Sequence, residues 1–73
     1  MTYGEVFKKV ELLLMDRMDF YKRQPIDCLE DDELIAVMKM KLLRVQYGVD
    51  PDKRLDDLLD LIAYAVKLAK RWL

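Results

Sequence analysis

The chain has 73 residues, balances 13 Lys and Arg against 14 Asp and Glu, and is 53% hydrophobic. That length allows one small domain, residues 1–73, which by itself buries only about 60% of its unfolded surface. The near-neutral charge creates no general attraction for nucleic acid or an anionic membrane, and no apolar run approaches the roughly 20 residues that span a bilayer.

The first predicted element opens at Thr2-Tyr3-Gly4-Glu5, a capping box with a hydroxyl at its start and a carboxylate three residues on. Helix 1 then covers about 3–22, because Tyr3, Val6, Phe7, Val10, Leu13, Leu14, Met18 and Tyr21 recur at helical spacing. Pro25 ends the pattern. Helix 2 covers 31–47, with acids at 30 to 33 suiting the positive end of its dipole. Gly48 is its expected C-terminal cap, with Val49 as the hydrophobic follower. Two apolar stripes run along it: Leu34, Ile35, Met38, Leu42 and Val45, and Ala36, Met40, Leu43 and Tyr47. A helix apolar on two sides is expected to be buried on two sides.

Asp50-Pro51 pairs an N-cap acid with proline at the first helical position, so helix 3 covers 51–72. Its apolar arc spans roughly 220°, well beyond the usual stripe of about 100°. Lys53, Asp56, Asp57, Asp60, Tyr64, Lys67 and Arg71 make up the polar remainder. No strand alternation appears. The expected fold is all-α: a helical hairpin plus a helix, completing a bundle as a homo-oligomer, a dimer or tetramer. Tyr3, Tyr21, Tyr47 and Trp72 read as core or rim aromatics, and the five Met residues as core fillers.

The residues that are missing narrow the chemistry. The chain has no His, Ser or Asn, and Thr2 is its sole Thr. Ser/His triads and His-ligated metals are therefore out, and Cys28 has no His to activate it. One cysteine forms no internal disulfide, and residues 1–9 lack a signal-peptide core, so the expected location is cytoplasmic and reducing. The missing Asn and the 37% charged residues point toward a thermophilic source. Carboxylates, Lys, Arg and Tyr remain, a set that suits Mg²⁺ or Mn²⁺ and phosphate.

Asp56, Asp57 and Asp60 stand at helical neighbour spacings, with Tyr64 rather than a base four residues after Asp60. They form either a solvated edge, explained by dipole matching and solubility, or an edge where a divalent cation turns carboxylate repulsion into ligation. Lys41 and Arg44, three apart, are either the basic end of a helix or a grip for phosphate. Nucleic acid is not an expected partner, because the bases are spread along three helices and matched by acids.

Lys41-x-x-Arg44 followed by Asp57-x-x-Asp60-x-x-x-Tyr64 resembles the C-terminal half of the MazG-like all-α nucleotide pyrophosphohydrolases. Their small phage and prokaryotic branch, associated with nucleotide modification, is the nearest in pattern. The similarity covers about residues 34 to 68, and Met18-Asp19-Phe20-Tyr21 resembles the end of the family's first helix. The resemblance implies a bundle of two or more subunits and Mg²⁺-dependent cleavage of a nucleoside triphosphate to the monophosphate and pyrophosphate. It implies that Asp57 and Asp60 hold the metal and that Lys41 and Arg44 offset phosphate charge. Where the family places further acids spaced E-x-x-E in mid-helix, this chain has Lys39 and Lys41. Glu30-x-x-Glu33 has that spacing at the helix start, and Glu11 or Asp19 are what helix 1 offers instead. The competing expectation is a non-catalytic helical oligomerisation or regulatory module, with a viral source as one reading.

Overall fold

Each helix begins where a side chain can satisfy its first amide groups. A computed structural model describes residues 1–20 and 28–73, apart from the side chains of 16–20. In it, α1 spans Tyr3–Phe20, α2 spans Asp31–Tyr47 and α3 spans Pro51–Trp72. The Thr2 hydroxyl accepts a hydrogen bond from the Glu5 N–H at 3.2 Å. At the start of α2 the Glu33 carboxylate accepts from the Glu30 N–H at 3.1 Å, half of a capping box between Glu30 and Glu33. Asp50 accepts from Asp52 N–H at 3.0 Å and from Lys53 N–H at 3.5 Å, with Pro51 following it. The expected end of helix 1 at about residue 22 lies outside the described residues.

All three helices are α, and no strand occurs among the described residues. α3 is the shared partner. One of its sides carries Leu59 and Ala63, which pack with Val10 of α1 and its neighbours Val6, Leu13 and Leu14. Another carries Tyr64 and Leu68, which enclose Leu34 of α2 with Ile35, Val37 and Met38 around it. α2 and α3 run antiparallel, since Lys41 meets Asp57 and Asp60 while Asp31 meets Arg71 at the far end.

The wide apolar arc of α3 thus serves two packing partners, but it is not fully covered. Leu55, Leu58, Val66 and Trp72 are exposed. The second stripe of α2 is exposed too, at Ala36, Met40, Leu43 and Tyr47, so the expectation that α2 is buried on both sides fails within one chain. Tyr3, Tyr47 and Trp72 are surface aromatics, and of the methionines with described side chains only Met38 packs against a core cluster. No helix among the described residues is long and apolar enough to cross a membrane.

α2 ends without the left-handed cap that a glycine usually signals. Gly48 is extended, at φ −69° and ψ 146°, and donates its N–H to the Arg44 carbonyl at 2.9 Å. A glycine is needed here for space. A Cβ on Gly48 would lie 2.6 Å from the Arg44 carbonyl oxygen and 3.0 Å from Arg54 Cγ. Val49 projects into solvent and makes none of the hydrophobic contact expected of a follower.

Candidate functional site

The polar stripe of α3 divides into two environments. Asp56 is exposed, whereas Asp57 and Asp60 keep only 5% and 8% of their surface. Burying two carboxylates requires cations and hydrogen bonds to offset lost hydration. α2 supplies both. Lys41 Nζ lies 3.4 Å from Asp57 Oδ1 and 3.1 Å from Asp60 Oδ2, donating to each. Arg44 Nε lies 3.2 Å from Asp57 Oδ2. Lys41 and Arg44 are one helical turn apart, as are Asp57 and Asp60, so two antiparallel helices bring two bases onto two acids.

The solvated-edge reading of the stripe is therefore corrected for Asp57 and Asp60 and holds for Asp56. The metal and phosphate candidates, which the sequence presents as separate edges, meet in one cluster. Tyr64 does not belong to a polar remainder. It is 3% exposed and packs with Leu34 and Leu68 in the core beneath the cluster. Glu33 is not brought to the aspartates. It caps α2 eight residues before Lys41, about 12 Å along the helix. Asp19 lies outside the described side chains. Glu11 is exposed on α1.

A groove of about 480 Å³ opens beside the cluster, at the turn between α2 and α3. Leu43, Tyr47 and Val49 give it apolar walls, and Arg44, Lys53 and Arg54 outnumber Asp50 and Asp57 among its charges. Arg54 is held across the turn, its Nε donating to the Val45 carbonyl at 2.8 Å. Sequence reasoning does not single out Lys53 or Arg54 as binding residues. The short α2–α3 connection and the proline-fixed start of α3 were the signals that would fold them back toward Arg44.

Among the described residues, no group of three or more His, Cys, Asp or Glu is gathered in a way that could hold a metal ion. Two buried carboxylates do share one cation, the Lys41 ammonium. Mg²⁺ is commonly held by one or two carboxylates together with substrate phosphates and water, so this donor pair suits an ion that arrives with a phosphate ligand. It does not make an all-protein cage.

No protein-family model, curated protein or solved structure matches this chain. The likeness to MazG-like proteins rests on the sequence at 41, 44, 57, 60 and 64, and on residues 18–21.

Proposed function

We propose that the chain binds a nucleoside triphosphate together with Mg²⁺ or Mn²⁺ at the α2–α3 edge, as a MazG-like pyrophosphohydrolase does. The observation that supports this reading is the convergence of buried Asp57 and Asp60 with Lys41 and Arg44 beside an open groove. Lys41 and Arg44 already hold the two carboxylates, so a bare dication would have to displace an ammonium without compensation. A triphosphate brings its own negative charge. Lys41 and Arg44 would then turn to phosphate oxygens, and Asp57 and Asp60 would be the residues to hold the ion. A bound ion in this position supplies a more acidic water and a clamp on the phosphates. Arg44 and Lys41 offset the charge that develops as pyrophosphate departs. Tyr47 and Leu43 give a face for the base, in a groove whose walls accept an apolar ring.

This exchange makes ion and nucleotide binding mutually dependent. Thermal unfolding with Mg²⁺ alone, a nucleotide alone and both together tests it. Only the pair is expected to raise Tm, by about 6–11 °C at ten times its Kd. Asp60→Asn removes the rise. Pyrophosphate release by the wild-type chain then separates hydrolysis from binding. If none of the common NTPs or dNTPs shifts Tm with either ion, the reading fails.

A further inference from the structure

We propose that α3 is a self-association element and pairs antiparallel with α3 of a second copy. After α1 has covered Leu59 and Ala63, and α2 has covered Asp57, Tyr64 and Leu68, one side of α3 still faces solvent. Along it run Leu55, Leu58, Ile62, Ala65, Ala69 and Trp72, at alternating steps of three and four. That is the spacing of a two-helix seam, sustained over about 26 Å. Ile62, which lies at the edge of the seam and also packs against the α1 cluster, and Ala65 are half-buried, and the other four are exposed. Trp72 is already restrained: it is 69% exposed, yet its indole N–H donates to Asp31 Oδ2 at 2.9 Å. An aromatic side chain fixed in place and open to solvent loses little freedom when a partner covers it.

Two features select a second copy of this chain, and in one direction. The first is size. Antiparallel pairing about the middle of the seam sets Ile62 against Ala65 of the other copy, Leu58 against Ala69 and Leu55 against Trp72. Two of these layers match a large side chain with a small one and fill evenly. Parallel pairing stacks alanine on alanine and leucine on leucine, leaving gaps beside crowded layers. The second is charge. Residues 50–61 carry five acids and two bases, net −3, whereas residues 62–73 carry three bases and no acid, net +3. The halves keep these signs when Asp57, Asp60 and Arg71, which pair with α2, and Lys67, which is also engaged, are set aside. Antiparallel copies bring the acidic half against the basic half, and an isologous two-fold contact does so twice.

Sedimentation equilibrium of the full chain tests the proposal without any nucleotide, so its failure and that of the nucleotide reading are distinguishable. The expected result is a dimer whose Kd rises on the order of 100-fold in Leu58→Glu and in Ala69→Glu, with helical circular dichroism retained. Ala69 belongs to neither core cluster, so its variant remains informative should Leu58→Glu fail to fold. Direction is read by disulfide formation in a Cys28→Ser background. A mixture of Leu58→Cys and Ala69→Cys chains cross-links, while Leu58→Cys alone does not, because its copies lie about 16 Å apart along the seam. A monomeric wild-type chain at several hundred micromolar overturns the proposal. So does a dimer that Met40→Glu on the exposed α2 stripe dissociates and the α3 variants do not, or rapid cross-linking of Leu58→Cys to itself.

Discussion

The Lys41 ammonium lies between two buried carboxylates, and the side chains around it depend on it unequally. Arg44 also reaches Asp57, but its side chain is 60% exposed, against 18% for Lys41. Removing Lys41 takes an ammonium from Asp60 and from one oxygen of Asp57 in a poorly hydrated place. Lys41→Met should lower unfolding free energy by about 2–3 kcal/mol, allowing for partial solvent screening. Arg44→Met should cost less than about 1 kcal/mol, as exposed pairs do. Urea titrations of the two variants compare them directly, and equal losses would contradict this division. The four charged positions are conspicuous in the sequence because of their spacing. Their mutual pairing is not, because it joins residues 16 and 19 positions apart on different helices. Tyr64 illustrates the same limit, since a tyrosine on a polar stripe gives no local sign that Leu34 and Leu68 will close over it.

At the scale of elements, the helix starts and the ends of α2 and α3 were legible and helix rotation was not. Thr2, Glu30 with Glu33, and Asp50 with Pro51 are local signals, and each starts a helix where it stands. Which side of α3 faces inward depends on what α2 presents. A helical wheel counts aspartate as an outward residue, yet Lys41 and Arg44 draw that stripe inward and leave apolar Leu55 and Leu58 outside. The end of α2 was misread in kind: the glycine is there, but closeness of backbone demands it. Gly48→Ala should therefore destabilise by about 1–3 kcal/mol, as overpacking does, and push Arg54 off the Val45 carbonyl. Thermal unfolding measures the loss. A stabilised variant would show that the turn relaxes freely, which would remove the steric account.

Across the whole molecule, the hairpin of α2 and α3 is fastened at both ends by different chemistry. The Lys41 cluster and the Arg54 bond hold the end near the turn. At the open end Asp31 accepts from Arg71 Nη1 at 3.1 Å and from the Trp72 indole at 2.9 Å. The indole hydrogen bond first, then the guanidinium, hold the Asp31 carboxyl below the usual carboxylate range. A carboxylate lowered on folding adds stability that is present above its unfolded pKa and is lost as pH falls through the folded value. Asp31→Asn should thus melt below wild type near neutrality, and the gap should close by about pH 2. A gap that persists unchanged in acid would show that the charge of Asp31 contributes nothing.

That fastening has a practical consequence. Trp72 is the chain's sole tryptophan, so its fluorescence comes from one spot, where the last turn of α3 is hooked to the first turn of α2. Release of the hook frees the indole from its carboxylate neighbour, and a covering partner dries its exposed ring. The two events change its environment in opposite directions. The protein carries its own optical gauge for loosening and for assembly, with no label added.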